Sequence, residues 1–148
     1  MRFFMIDNRF APWGLLILRV VLGGLFLFHA GVKIFVFTPA GTAEYFSSLG
    51  LLAALAYIAI AWELAGGAAL IVGLWPRLVA VAMVPLLLGT IVSAHGANGF
   101  MFSNEGGGWE YPAFWIVALV VQALCGNGAA AWQSRATVVA ARSKESVR

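Results

Sequence analysis

Two ionisable side chains interrupt an otherwise apolar stretch of the sequence, LFLFHAGVKIF at residues 25–35. They are His29 and Lys33, which are four residues apart and therefore lie near each other on one face of a helix. Histidine can accept or donate a proton near neutral pH, and the lysine ammonium group donates up to three hydrogen bonds. Together they offer proton transfer and hydrogen bonding to a ligand within apolar surroundings.

Glu63 and His95 are two further ionisable groups, each within its own apolar stretch. An ionisable side chain at the centre of a bilayer costs roughly 3 kcal/mol, so such groups normally face the interior of a helix bundle and are paired. We therefore expect Glu63 to face either Arg19 or the face that carries His29 and Lys33, and we predict Arg19 and Glu63 as the structural ion pair. Glu63, His29 and His95 are the candidates for proton transfer, and hence for catalysis.

The same residues also have purely structural interpretations. Arg19 and Lys33 can extend their charged groups towards the lipid headgroups, as long cationic side chains often do. The histidines can be helix-packing residues, quinone-binding or proton-transferring groups, or, as the least favoured alternative, metal ligands. No metal site is predicted.

The composition identifies a membrane protein. Of the 148 residues, 62% are hydrophobic and only 10% are charged, and the mean hydropathy is +0.93, far above the values of soluble domains. No linker divides the chain, so residues 1–148 are expected to form a single domain. Cys125 is the only cysteine, which excludes an intramolecular disulfide and a C-x-x-C redox pair.

Four apolar windows predict the elements that position these groups. They cover residues 13–37, 51–75, 78–95 and 112–132, and each is close to the roughly 20 residues needed to cross a bilayer. Turn-forming residues separate them at 38–41, at 75–77 and between 96 and 108. The predicted fold is therefore all-α, an integral membrane four-helix bundle with a basic tail at 133–148.

The distribution of charge predicts the orientation of this bundle. Seven of the nine Lys and Arg residues lie before the first window, between the second and third, or after the fourth; they are Arg2, Arg9, Arg77, Arg135, Arg142, Lys144 and Arg148. The other connections contain Glu44, Glu105 and Glu110 and no cation, so the positive-inside rule places both termini in the cytoplasm. The lipid bilayer is the expected partner, and a nucleic acid is excluded because the basic residues are not interleaved with aromatic ones.

Helix geometry places the two histidines at a similar depth. Counted from the cytoplasmic ends of their helices, His29 lies at about 24 Å and His95 at about 27 Å. Trp109 and Glu110, in the outer loop 96–111, are expected near the same level. The aromatic residues of that loop are expected to form an interfacial belt or, alternatively, a lid over a site between the helices.

Small residues predict the helix contacts. Gly24 and Gly31 in the first window are seven residues apart, as are Gly66 and Gly73 in the second. Residues at this spacing lie on one helix face, where glycine lets neighbouring backbones approach closely. Both pairs are therefore expected to mark packing seams.

Four segments together resemble a known family. LRVVLGGLFLFHAGVKIF, WELAGGAALIVGLWPR, AHGANGF and GGWEYP are similar to the DoxX family of small, four-span bacterial inner-membrane proteins, over residues 15–128. The sequence departs from the family pattern at CGNGAAAWQS. Related proteins are subunits of quinol oxidases or thiosulfate:quinone oxidoreductases, or belong to oxidative-stress complexes. The polar positions that match the pattern are Arg19, His29, Lys33, Glu63, Arg77, His95, Trp109 and Glu110.

The resemblance implies a quinone-interacting subunit of a membrane oxidoreductase or of an oxidative-stress complex. Quinone would be the only cofactor, bound without a covalent link by His29, Lys33, Glu63, His95, Trp109 and Glu110. No haem or flavin motif is visible, so a membrane or soluble partner subunit would supply the redox centre. The alternatives are a non-catalytic membrane anchor or assembly subunit and, less favoured, a small permease; self-association is left open.

Overall fold

The computed structural model describes residues 7–132, and within this range every regular element is helical. The five α-helices are α1 (Ala11–Gly31), α2 (Pro39–Ser48), α3 (Ala54–Val72), α4 (Pro76–Thr90) and α5 (Glu110–Cys125). Two π-helical turns, Val32–Val36 and Ile91–His95, extend α1 and α4. The predicted all-α class is confirmed.

Three helical segments are long and apolar enough to cross a membrane: Ala11–Val36, Ala54–Val72 and Pro76–Asn98. They match the first three predicted windows to within a few residues. The fourth, α5, is apolar but shorter. It stops at Cys125, and not at 132 as expected, because the next residue, Gly126, has a φ of 107° that a helix cannot continue.

The short helix α2 was not predicted. The segment Thr38-Pro39-Ala40-Gly41 was interpreted as a turn, but it is the beginning of a helix. The Thr38 hydroxyl accepts a hydrogen bond from the Gly41 N–H at 3.2 Å, and proline is favoured in the first helical turn because it has no N–H to leave unpaired. Capping residues at the start of a helix thus resemble turn residues in sequence.

The connection between α3 and α4 is as tight as the sequence predicted. Gly73 ends α3 in the left-handed conformation, with a φ of 80°, and Pro76 begins α4 three residues later. We call this end of the bundle, where α1 and α4 begin and α3 and α5 end, the lower end. The upper end contains α2 and the loop before α5.

Glycines bring α1 and α3 into close contact, although not all at the predicted positions. A Cβ atom on Gly23 would lie 2.6 Å from the Gly67 carbonyl oxygen, and one on Gly67 would lie 2.8 Å from the Gly23 carbonyl oxygen. Gly24 and Gly31 have no atom within 4 Å of such a Cβ. The expected seam at Gly24 and Gly31 is therefore wrong, since the contact face of α1 lies one residue away.

Side-chain packing fills the core, and the chain after α5 covers part of the lower end. The buried cluster consists of Leu22, Phe26, Leu70, Ala80, Met83, Leu87, Trp115 and Leu119. After α5 the chain folds back over the lower end, where the Ala129 N–H donates to the Pro12 carbonyl at 2.8 Å and Ala131 is fully buried. The larger open space in the bundle extends towards the upper end, and a smaller pocket of about 490 Å³ beside Trp75 and Arg77 lies at the lower end.

Candidate functional site

A cavity of about 1270 Å³ lies between the helices, and all five helices contribute to its wall. Four of the residues singled out in the sequence line it: His29, Lys33, Glu63 and His95. They come from three different helical segments, the extended α1, α3 and the extended α4. The cost of exposing polar groups to lipid predicts that such residues face inward, and the structure brings these four to one cavity.

Lys33 and Glu63 form an ion pair in the wall of this cavity. The Lys33 Nζ lies 2.8 Å from Oε1 and 2.9 Å from Oε2 of Glu63. Helical side chains point towards the N-terminus of their helix, so Lys33 reaches down into the bundle and not out towards the headgroups. Glu63 therefore faces the side of the extended α1 that carries His29 and Lys33. This was the second of the two predicted alternatives.

The predicted ion pair between Arg19 and Glu63 does not form. Arg19 lies at the lower end and is 1% exposed, and its Nη2 donates to the Ala129 carbonyl at 3.1 Å. The α1 and α3 helices cross at Gly23 and Gly67, so Arg19 lies below the crossing and Glu63 above it. Arg19 contacts neither the cavity nor the bundle surface.

The environment of Arg19 explains how a buried cation is accommodated at the lower end. Its Nη1 occupies the position that a Cβ on Gly73 would take. Gly73 caps the C-terminus of α3, and Ala129 follows the C-terminus of α5. The C-terminal ends of helices carry partial negative charge, which favours a nearby cation. Arg19 Nε and Nη1 have no hydrogen-bond partner among the described residues.

His95 connects the cavity with the loop before α5. Its Nδ1 lies 2.8 Å from the Gly107 carbonyl oxygen. The Asn98 side-chain amide donates to the carbonyls of Gly106 at 2.9 Å and Gly107 at 3.1 Å. The loop is thus held against the end of the extended α4, and the orientation of the His95 ring is fixed by the loop backbone.

Aromatic rings form one wall of the cavity next to His29. The His29 ring centroid lies 5.3 Å from that of Trp115, and Trp115 lies 5.6 Å from Tyr111. The Tyr111 ring is in turn 5.6 Å from Phe102. Trp115, the centre of this wall, was not singled out in the sequence. The sequence marks Trp115 only as an apolar residue of the fourth window, and the residues of the buried core have the same property.

Trp109 and Glu110, which were predicted to bind the ligand together with the other four, are not among the residues that line the cavity. Glu110 Oε1 accepts a hydrogen bond from the Phe102 N–H at 2.9 Å, and the Trp109 ring packs on Phe100 at 4.8 Å. Both residues shape the loop at the start of α5. The next residue, Tyr111, does line the cavity.

A metal centre is not visible in the range 7–132, where no group of three His, Cys, Asp or Glu side chains is close enough to hold an ion. His29 and His95 are associated with different neighbours, an aromatic ring and a backbone carbonyl respectively.

The DoxX family profile matches residues 14–96, which is more than half of the chain. The chain belongs to the DoxX family. The matched range contains the four ionisable cavity residues singled out in the sequence, His29, Lys33, Glu63 and His95, whereas Trp109 and Glu110 lie outside it.

One curated relative of this DoxX protein is named "Putative oxidoreductase CatD" and comes from Bacillus subtilis (strain 168). The two sequences are 36% identical over 98 residues, which is 66% of this chain and 72% of the relative. No solved structure matches the DoxX chain.

Proposed function

We propose that this DoxX protein binds the head group of a quinone in the cavity, as a subunit of a membrane oxidoreductase or an oxidative-stress complex of the bacterial inner membrane. The observation that carries the proposal is the convergence of His29, His95 and the Lys33–Glu63 pair on one cavity with an aromatic wall. The oxidoreductase name of the relative supports a redox role. Electrons would be exchanged with a redox group on a partner subunit.

The chemistry of the wall suits a quinone ring. Quinone carbonyl oxygens accept hydrogen bonds, and Lys33 has a third N–H beyond the two that Glu63 can accept. The aromatic wall formed by Trp115, Tyr111 and Phe102 offers apolar contacts to a planar ligand. Small-molecule sites combine mostly apolar walls with a few polar groups in this way.

The size and the open side of the cavity suit the long tail of such a ligand. At about 1270 Å³, the space exceeds the roughly 300–1,000 Å³ of an ordinary small-molecule site. Ile58 and Trp62 on α3 line the cavity and are also about half exposed at the bundle surface. A tail can therefore leave sideways into the bilayer at this edge of α3.

The alternative, a membrane anchor or assembly subunit without a ligand, is favoured by one observation. Lys33 and Glu63 satisfy each other through two short contacts, and such a pair can fix the register of α1 on α3 without any further role. This alternative predicts a folded protein that binds no quinone.

Quinone titration of the purified protein in lipid nanodiscs, followed by tryptophan fluorescence, distinguishes the two functions, because Trp62 and Trp115 line the cavity. We expect His29→Ala and His95→Ala each to weaken binding about tenfold, because each removes a ring that lines the cavity. Leu124→Ala, a lipid-facing control on α5, should bind like wild type. The absence of binding to wild type with its copurifying partner present, or undiminished binding to both folded histidine variants, would favour the anchor subunit.

A further inference from the structure

The hydrogen bond of His95 to the loop determines which of its ring nitrogens carries the proton. Its Nδ1 lies 2.8 Å from the Gly107 carbonyl oxygen, which can only accept a hydrogen bond. The Nδ1 atom must therefore be the donor. A neutral imidazole has a single N–H, so the other nitrogen, Nε2, carries a free lone pair and is an acceptor.

The loop keeps the ring in this orientation. Gly107 has a φ of 73°, and a Cβ placed on it would lie 3.4 Å from both Nδ1 and Cε1 of His95. The edge of the ring that carries Nδ1 thus packs on the loop backbone, and Asn98 ties the same carbonyl to α4 at 3.1 Å. His95 also lines the cavity, so it is the opposite edge, with Nε2 and Cδ2, that is available there.

The His95 Nε2 has no donor among the residues that the structure describes, since the hydrogen bond of the ring to Gly107 uses Nδ1. Lys33, which also lines the cavity, is a donor only. The cavity therefore presents an acceptor at His95 and a donor at Lys33. A quinone with two carbonyl oxygens complements the donor and leaves the acceptor unpaired.

We infer that His95 accepts a hydrogen bond from a ligand hydroxyl, so that the site selects the hydroquinone form, or a phenol of the same shape, over the diketone quinone. This inference rests on the proposed function and adds a specificity-determining residue to it. Sites that hydrogen-bond a ligand hydroxyl discriminate against analogues without one, because the ligand displaces water from the acceptor and offers it no hydrogen bond in return.

The test compares three ligands with the same ring and tail: a redox-inert alkylphenol, its methyl ether and the corresponding quinone. Wild-type protein in nanodiscs should bind the phenol about tenfold or more tightly than the ether. His95→Phe should abolish this preference. His29→Phe is the matched control, since it changes the same cavity but should keep the preference for the phenol even if all three ligands bind more weakly.

Nitrogen-15 NMR of histidine-labelled wild type provides a readout that is independent of the variants. We expect the free protein to show His95 with a protonated Nδ1 and a bare Nε2, and the phenol to shift the Nε2 resonance. Equal binding of phenol and ether, or a protonated Nε2 in neutral His95, would overturn the inference about His95 but not the proposed function. If none of the three ligands binds, both the inference and the proposed function are wrong.

Discussion

The carboxylate of Glu63 is the most deeply buried acid of the described chain. Its ion pair with Lys33 offsets much of the free-energy cost of burying it. The pair is asymmetric, since the Glu63 side chain is 6% exposed and that of Lys33 is 19% exposed. Two charges taken out of water roughly break even when they remain paired, but one charge left alone is costly. The contribution of each residue therefore depends on the presence of the other.

Removing the acid alone should strongly destabilise the protein. For Glu63→Ala we expect a loss of about 3–5 kcal/mol, because Lys33 is left as an unpaired buried cation. Glu63→Gln should lose less, since an amide oxygen still accepts a hydrogen bond from Lys33. Unfolding by graded denaturing detergent in mixed micelles measures both.

The double variant Lys33→Met, Glu63→Gln is the control for charge. It has no unpaired ion, so it should recover much of the stability lost in Glu63→Ala. If Glu63→Ala unfolds at the same detergent fraction as wild type, the ion pair does not support the fold.

At the scale of elements, the crossing of α1 and α3 sets the position of the site. The backbones of Gly23 and Gly67 touch there, and the chain above the crossing brings Lys33 to Glu63. The π-helical turns then carry two of the polar residues, Lys33 and His95. Single π turns inside α-helices are frequent at functional sites, because they alter the direction of the side chains that follow.

Widening this crossing should therefore damage stability and ligand binding together. Gly67→Val places branched carbons against the Gly23 carbonyl and the Leu27 side chain, and overpacking of this kind costs typically about 1–3 kcal/mol. We expect lower stability in detergent and weaker quinone binding.

Gly24→Val is the matched control, because a Cβ on this adjacent face of α1 meets no atom within 4 Å. It should behave like wild type in both measurements. A Gly67→Val protein with wild-type stability and affinity would show that close contact of α1 and α3 is not needed to assemble the site.

Much of the helical architecture follows from the sequence alone. The long apolar windows located α1, α3 and α4, and the cost of polar groups in lipid predicted that His29, Lys33, Glu63 and His95 face the interior. The predicted partner of Glu63, Arg19, was wrong, since the pairing depends on which glycine face of α1 meets α3. The true partner, Lys33, lies on the other side of that crossing point.

Other features have no strong sequence signal. The helix α2 begins with residues that turns also use, and no residue preference identifies a π-helical turn. The role of His95 depends on a backbone carbonyl twelve residues further along the chain. Side-chain types cannot reveal such a contact, because every residue has a carbonyl.

At the scale of the whole molecule, the bundle places the beginning of α1 and the end of α5 together. The Ala129 N–H donates to the Pro12 carbonyl, so both ends of the described chain lie at the lower end. Ser103, in the loop before α5, is exposed and lies at the upper end. The sequence prediction that both termini are cytoplasmic therefore requires this loop to face outward.

Single-cysteine labelling tests this orientation. In a Cys125→Ala background, a cysteine at Ser103 should react with a membrane-impermeant maleimide added outside spheroplasts. Asn127→Cys, in the segment after α5, is the matched position for the other side and should react only after lysis. A cysteine at 103 that is labelled only after lysis would reverse the predicted orientation.

The proposed function requires a quinone head to occupy the cavity to which all five helices contribute. Photo-crosslinking with a quinone whose azide is on the ring, followed by mass spectrometry of the peptides, tests it most directly. We expect adducts at Tyr111, Trp115 or His29, and their loss when excess unlabelled quinone competes. Adducts restricted to lipid-facing residues such as Phe114 and Leu124, or labelling that competitor does not reduce, would contradict the claim.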